Sequence, residues 1–315
     1  MSARRQAVVA LLAANILFAG SFPFSVVALR GWSPVTIVAI RFGIAAALLS
    51  WVGVPVLRRA SWSQRRRMAA LASIGLWTQM VFVYEGIQAS QAAIAAVIVG
   101  LEPVLIAVWA ALLLGERLTG KRAAGLSIGL VGALLVAGVG TDSPHILGLV
   151  FLLGMGLCWG WYTVAGKALM FEFSPVELIA AVSIMGALWA ATPGVISAVW
   201  LNGWTSPGGE QWIAVLYLSV VNSVLAYLLW NFALVRLPAA MVGTSLYIQP
   251  ILGATLSWLF LSERLPATFI PGAALVMTAV WIAGRPASSP AEHRLEHQPE
   301  AVPAGVSGGE QPPIV

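Results

Sequence analysis

The chain has 315 residues, of which 59% are hydrophobic and only 9% are charged. Because a soluble domain carries about 25% charged residues, this composition excludes a soluble globular protein and predicts an all-α polytopic membrane protein. The net charge of +5 does not indicate nucleic-acid binding, since most basic residues lie in short segments between apolar stretches, and the single cysteine excludes an intrachain disulfide framework.

Ten apolar stretches follow one another along the chain, each long enough, at about 17–25 residues, to cross a bilayer as a helix. The first starts like a signal peptide, but nine further spans follow it, so we interpret it as a retained helix. The final segment, 285–315, is rich in Pro, Gly, Ser and Glu and is predicted to be a disordered cytoplasmic tail. The predicted spans cover about 6–28, 34–57, 68–88, 91–114, 122–140, 146–169, 176–199, 211–233, 239–262 and 268–284.

The distribution of Lys and Arg predicts how these spans are oriented. Ten spans place both termini on one side of the membrane. If that side is the cytoplasm, fourteen basic residues lie inside and the outer loops contain only Arg30 and Arg264. Cytoplasmic loops carry an excess of basic residues, so we predict an inner-membrane protein with both termini in the cytoplasm.

Two segments of the chain repeat each other. Residues 90–128 and 237–275 align without a gap at a constant offset of 147, which places Pro103 on Pro250 and Glu116 on Glu263. Five spans in each half would insert the second half (146–284) upside down relative to the first (1–140). Repeated apolar spans, each interrupted by proline near its middle, predict a transporter whose site lies between the repeats, with Pro103 and Pro250 as hinges.

The repeated motif resembles the signature of EamA domains, which occur in tandem in the drug/metabolite transporter superfamily. It consists of Glu102-Pro103, LGERLT at 114–119 and Gly125, and its second copy has Gln249-Pro250 and LSERL at 261–265. The resemblance covers about 6–284. It implies a ten-helix carrier of small metabolites built as two five-helix repeats, with amino-acid exporters as prominent members. It also implies a path lined mainly by helices one, three, four, six, eight and nine.

Glu102 is the sharpest candidate site residue. It lies about eleven residues into span four, near the middle of the bilayer, where a carboxylate costs at least about 2.5–3.5 kcal/mol. It must therefore face a cavity, pair with another group or be protonated. A proton or substrate-amine site and a helix-packing ion pair with Arg41 both remain open. Gln249, in the matching position, can hydrogen-bond a polar substrate but cannot hold a proton.

Arg41 lies within span two and also has two interpretations. It could form a structural ion pair with Glu85 or Glu102, or its planar donor fork could bind a substrate carboxylate. An amino acid needs one cationic and one anionic partner, which Arg41 and a glutamate would supply.

Further polar and aromatic residues occur at helical spacing on the predicted inner helices. Lipid does not favour exposed amides, so we expect the amides to face inward, while substrate contact and helix packing both remain open for the set. At the span ends, Glu116 is predicted to cap or bridge loops. The candidate lining residues are Asn15, Trp77, Tyr84, Trp159, Tyr162, Tyr227, Asn231 and Tyr247.

These features predict a secondary transporter that exports amino acids or similar polar metabolites, as two inverted halves rock about Glu102 and Gln249. A phosphate loop and a hydrolytic triad are absent, and His293 and His297 lie in the tail, so we expect no enzyme activity, cofactor or metal. The alternatives are a proton-coupled exporter of lipophilic cations and a scaffold or accessory subunit without flux. The expected partners are the bilayer and a small molecule; proton coupling and oligomeric state stay open.

Overall fold

A computed structural model of the chain describes residues 2–89, 102–116, 118–137, 146–201, 207–261 and 267–284, and all regular structure within these ranges is helical. The predicted tail and most of the residues between Gln88 and Glu102 lie outside the described part. The α-helices are α1 Ala3–Ala19, α2 Ser21–Leu29, α3 Pro34–Arg59, α4 Trp62–Ala70, α5 Gln79–Ala89, α6 Glu102–Leu114, α7 Gly120–Ala137, α8 Ile146–Leu169, α9 Pro175–Ile196, α10 Gly209–Leu216, α11 Tyr227–Arg236, α12 Ala239–Thr244, α13 Ile248–Leu261 and α14 Phe269–Gly284.

Local sequence signals explain where the long helices begin. Ser33 precedes Pro34 at the start of α3, and its hydroxyl accepts a hydrogen bond of 3.3 Å from the Thr36 amide. Ser174 begins α9 in the same way, with Glu177 completing a capping box. Serine satisfies an amide that lacks a helical partner, and proline in the first turn has no amide to satisfy, so both helices start at these pairs.

Five helical stretches of 26–28 residues in the described part are long and apolar enough to cross a membrane. They are Ala3–Leu29, Pro34–Arg59, Trp62–Gln88, Pro175–Trp200 and Gly209–Arg236, and Glu102–Leu114 and Phe269–Ile282 are shorter apolar helices. Large apolar side chains cover the outside of the molecule: Trp51, Leu188, Trp200 and Ile270 each expose more than 70% of their surface. Such a surface is stable in lipid and not in water.

Helices of the first half of the chain pack chiefly against helices of the second half. The most extensive contacts join α3 to α9 and α7 to α14, and α1 packs along α11. Glycine permits two of these approaches, because a Cβ on Gly53 would lie 2.8 Å from the Ala180 carbonyl oxygen and one on Gly132 would lie 2.8 Å from the Val276 amide. The described residues up to Gly284 therefore form one compact unit rather than two separate bodies.

Several helical stretches in the described part change their winding along their length. Leu71–Thr78, before α5, and Tyr217–Ala226, before α11, are π-helical, and these segments begin 146 and end 148 residues apart. A third π-helical segment, Ser197–Leu201, follows α9. π-helical segments disturb the regular spacing of side chains and occur frequently at functional sites.

The predicted interruption of span nine is present. A 3₁₀ turn, Ser245–Tyr247, separates α12 from α13, and Pro250 is the third residue of α13. Proline has no amide to donate to the carbonyl of Leu246, four residues earlier, so regular α-helical bonding is lost at this turn. Pro103 is the second residue of α6, and the chain immediately before Glu102 lies outside the described residues.

Candidate functional site

A cavity of about 90 Å³ lies inside the helical core. Its wall draws on predicted spans one, three, four, six, eight and nine, and also on span two through Arg41. The cavity wall contains six of the predicted site residues, namely Glu102, Gln249, Arg41, Tyr84, Trp159 and Tyr227.

Glu102 and Gln249 both line this cavity, and each exposes no more than 7% of its surface. No ion pair or hydrogen bond to the Glu102 carboxylate occurs among the described residues. A buried carboxylate in apolar surroundings is stable only when it is protonated or meets a cationic or donor group. The site can therefore bind a proton or the ammonium group of a ligand.

Arg41 lies beside the cavity, and only 2% of its surface is exposed. Its guanidinium donates from Nη1 to Tyr84 Oη at 2.6 Å, from Nη2 to Asn222 Oδ1 at 2.7 Å, and from Nε to Ser223 Oγ at 3.0 Å. Nη2 also donates to Ser223 Oγ at 2.9 Å. These bonds join α3 to α5 and to the π-helical segment Tyr217–Ala226.

The sequence-based interpretation of Arg41 as an ion-pair partner needs correction. Within the described ranges the guanidinium contacts neither Glu85 nor Glu102 as a salt bridge. Neutral oxygens occupy its donors instead, because the second half of the chain brings Asn222 and Ser223 next to it. The cavity wall therefore contains one cationic side chain and one acidic side chain that do not pair with each other.

Three polar atoms on the cavity residues are buried and have no hydrogen-bond partner in the described part of the chain. They are Gln79 Oε1, Asn222 Nδ2 and Trp159 Nε1. A buried polar atom without a partner costs about 1–3 kcal/mol, so such atoms in a native structure call for a ligand, a water or a special role. Here one acceptor and two donor groups of this kind belong to residues that line the cavity.

Aromatic rings form one side of the site. Phe18, Trp159 and Tyr227 line the cavity, and Tyr162 and Trp230 pack against them, with ring centroids of contacting pairs 5.5–5.9 Å apart. Most of these pairs meet edge to face, which is a favourable arrangement for aromatic rings. The cluster is both a packed core and an apolar wall for a ligand.

Tyr162 and Asn231, both predicted as site residues, lie behind this wall and outside the cavity lining. Asn231 Nδ2 lies 3.5 Å from Tyr162 Oη, which is a long hydrogen bond. Their place in the structure is that of a support for the aromatic cluster.

Asn15 also lies outside the lining, but it holds a lining residue in place. Its Nδ2 donates to Leu11 O and to Ser245 Oγ, each at 2.9 Å, and its Oδ1 accepts a bond of 3.2 Å from Gln249 Nε2. Both donor hydrogens are thereby used, so Asn15 connects α1 to the interrupted span nine and orients Gln249.

Two further predicted residues do not reach the cavity. Trp77 is half-buried and packs against the main apolar core. Tyr247 belongs to a separate apolar cluster with Leu126 and Val276, and its hydroxyl donates to Leu126 O at 2.8 Å. Tyr247 therefore links span nine to α7.

Gln79, Asn222 and Ser223 were not among the site residues predicted from the sequence. Asn222 and Ser223 lie in a π-helical segment, and Gln79 directly follows the other one, so regular helical spacing did not indicate which way they face. The signal that could have identified Gln79 and Asn222 is the presence of an amide side chain in an apolar span, which already predicts an inward orientation. No group of three or more metal-binding side chains occurs in the described part of the chain.

Glu116 bridges the ends of several helices, in agreement with the role expected for it. Its carboxylate accepts hydrogen bonds from the amide of Ala239, at 2.9 Å, and from Lys167 Nζ, at 3.4 Å, and it lies 4.0 Å from Arg122. It thereby caps the start of α12, which begins without a side-chain cap of its own. Glu263, the matching residue of the second repeat, lies outside the described residues.

Several known transporters align with most of this chain. An uncharacterized transporter of Archaeoglobus fulgidus is 27% identical over 79% of this chain and 87% of its own length. A protein of Streptantibioticus cattleyicolor named "Probable terminal-alkyne amino-acid exporter" is 24% identical over 89% and 94%. The aromatic amino acid exporter YddG of Ancylobacter novellus is 27% identical over 68% and 72%.

A solved crystal structure superposes on 92% of this chain and 98% of its own chain with a TM-score of 0.73, at 22% identity, which shows a shared fold. The model of the EamA-like transporter family matches twice, at residues 5–138 and 146–285. Two matches that together cover most of the chain, and apolar helices around a polar cavity, characterise a multi-pass carrier and not an enzyme. The chain belongs to the EamA-like transporter family.

Proposed function

We propose that this transporter exports amino acids or closely related small polar metabolites. The observation that carries the proposal is the cavity of about 90 Å³, which is lined by Glu102, Gln79, Asn222 and Trp159. The side-chain carbonyl of Gln79 and the donors of Asn222 and Trp159 have no partner among the described residues. Acceptors and donors in one small cavity fit a ligand with both an ammonium and a carboxylate group. Relatives named as amino-acid exporters support the same substrate class.

The proposed topology has ten spans in two inverted halves, 1–140 and 146–284, with both termini in the cytoplasm and the tail 285–315 beyond them. The two separate family matches support this division. So does the packing, because exchanging the halves maps the contact of spans one and eight onto that of spans six and three. The two π-helical segments also recur at nearly the offset of the sequence repeat.

Alternating access is the proposed mechanism, with Pro103 and Pro250 as hinges at the two sides of the cavity. The lost helical bonding before Pro250 supports this choice, because it allows α12 and α13 to change their angle. The halves interleave, so the bundles that move would contain helices from both halves rather than one half each.

A proton-coupled exporter of lipophilic cations is the second candidate. Glu102, which has no partner in the described part, lies on the same cavity wall as Phe18, Trp159 and Tyr227, and such an acidic aromatic site attracts cations. Arg41 on the same wall repels a purely cationic ligand, and this favours a zwitterion.

Counterflow in proteoliposomes tests the proposal. Purified protein would be given a panel of labelled amino acids and one lipophilic cation, with and without a pH gradient. Saturable flux of an amino acid supports the proposal, and dependence on the gradient would add proton coupling. Cation flux alone would favour the second candidate. Absence of saturable flux for the whole panel, with correctly folded protein, would favour a scaffold or accessory subunit.

A further inference from the structure

We infer that Asn222 binds the carboxylate of the substrate and that Arg41 is a positioning residue that orients Asn222 without contacting the substrate. This inference rests on the proposed transport of amino acids, and it differs from both interpretations of Arg41 that the sequence leaves open, the structural ion pair and the direct bond to a substrate carboxylate.

The first step concerns the donors of Arg41. A guanidinium has five N–H groups, and four hydrogen bonds to Tyr84, Asn222 and Ser223 occupy its three nitrogens. Ser223 is fixed in turn, because its hydroxyl donates to Leu218 O at 2.9 Å. One Nη1 hydrogen is left over, so a two-pronged bond to a carboxylate would require Arg41 to give up at least one of the bonds that hold these three buried side chains.

The second step concerns the orientation of Asn222. Arginine only donates hydrogen bonds, so the amide atom that faces Arg41 at 2.7 Å must be the carbonyl oxygen Oδ1. The amide is planar, so Nδ2 is directed away from the guanidinium. Nδ2 is buried without a partner, and Asn222 lines the cavity. Its two N–H groups therefore have no acceptor among the described residues, and an oxygen of a ligand in the cavity is the partner that we assign to them.

The third step concerns the strength of that donor. A hydrogen bond from a charged group to Oδ1 polarises the amide and makes Nδ2 a better donor than that of an ordinary asparagine. Glu102 and Gln79 Oε1, on the same cavity wall, supply the acceptors for the ammonium group. The charge of Arg41 thus acts on the substrate carboxylate by polarising the neutral amide of Asn222.

A neutral amide suits a transporter because the substrate must also leave. A direct bond between a buried arginine and a carboxylate is strong, and it would slow release. Asn222 keeps the selectivity for an anionic group with a weaker contact. The expected kinetic signature is a modest affinity that depends on the carboxylate.

Exchange of Asn222 for aspartate tests the inference. Asn222→Asp keeps the shape and the contact with Arg41 but replaces the donor by an acceptor. The probes are the labelled amino acid with the highest flux in the panel and the amine formed by its decarboxylation, which competes for the site. We expect the KM for the amino acid to rise about tenfold or more and the inhibition by the amine to be unchanged or stronger.

Two further variants separate positioning from binding. Arg41→Lys keeps the charge but cannot hold the fork of bonds. It is expected to weaken amino-acid binding relative to amine binding as Asn222→Asp does. The double variant should lose no more amino-acid affinity than either single variant. Asn231→Asp is the matched control, because Asn231 is a buried amide outside the cavity. This change should weaken the binding of amino acid and amine equally, or leave both unchanged.

Asn222→Ser replaces Asn222→Asp if the aspartate variant does not give a monodisperse peak on size-exclusion chromatography. An unchanged ratio of amino-acid to amine affinity in the folded Asn222 variant overturns the inference, even where amino-acid transport stands. A wild-type protein that carries no amino acid overturns the proposed function and this inference together.

Discussion

Asn15 Oδ1 accepts a hydrogen bond of 3.2 Å from Gln249 Nε2, which ties the first helix of the chain to the helix that follows the interruption of span nine. The same asparagine donates to Ser245 Oγ in the 3₁₀ turn. One buried side chain of the first half thus controls the position of a cavity residue of the second half. Its removal should affect both the stability and the transport of the protein.

Asn15→Leu keeps the volume of the side chain but removes these bonds. We expect the free energy of unfolding to fall by about 1–3 kcal/mol, because the amide of Gln249 loses its buried partner. Thermal unfolding followed by fluorescence size-exclusion chromatography measures this change. Ile16→Leu is the control on the same helix, since Ile16 exposes 56% of its surface and should tolerate the change. Equal melting temperatures of the two variants would contradict the prediction.

Glu102→Gln removes the charge and the exchangeable proton but preserves the shape of the side chain. Hydrogen bonds to charged groups contribute about 1.5–3 kcal/mol, so we expect transport to fall by roughly tenfold or more with unchanged abundance in the membrane. Glu85→Gln is the matched control, because Glu85 lies outside the cavity lining and should keep transport within about twofold. Normal transport by Glu102→Gln would remove this residue from the mechanism.

Glu116 should stabilise the protein in two separable ways. Glu116→Ala removes both the cap on α12 and the charge near Lys167, and should cost about 0.5–2 kcal/mol of the free energy of unfolding. Glu116→Gln keeps an acceptor for the Ala239 amide and should cost less. The melting temperatures of both variants test this prediction. A larger fall in melting temperature for Glu116→Gln than for Glu116→Ala would show that the cap is unimportant.

Glu172, in the loop between α8 and α9, should make the stability of the protein depend weakly on pH. Hydrogen bonds from Arg67 and Gln64 hold the pKa of the Glu172 carboxyl below its usual range. A lowered folded-state pKa stabilises the protein above the unfolded-state pKa, and this contribution is lost as the pH falls through the folded-state value. The difference in melting temperature between wild type and Glu172→Gln should therefore be present at neutral pH and vanish in acid.

Salt gives an independent check on this last prediction. The ion pair of Arg67 and Glu172 is exposed, so salt should screen its contribution to stability at neutral pH. A difference in melting temperature that persists unchanged at high salt or at low pH would mean that the carboxylate does not act through its charge.

Some residues of the candidate site could be predicted because a charged or polar side chain in an apolar span costs free energy and is therefore conspicuous in the sequence. A carboxylate such as Glu102 in an apolar span needs a reason to be there, and the repeat located its counterpart Gln249. The partners of Arg41 were not predictable in this way, because Asn222 and Ser223 lie more than 180 residues away and approach only when the halves interleave. Regular helical spacing also failed at Asn222, where the helix is π-wound.

The pairing of α3 with α9 and of α7 with α14 has a consequence for biosynthesis. When the chain up to the end of α7 has left the ribosome, the helices that cover the packing faces of α3 and α7 have not yet been made. The nascent half must wait in the bilayer with lipid or an insertion factor against those faces. Assembly of the described helices therefore completes only after α14 has entered the membrane.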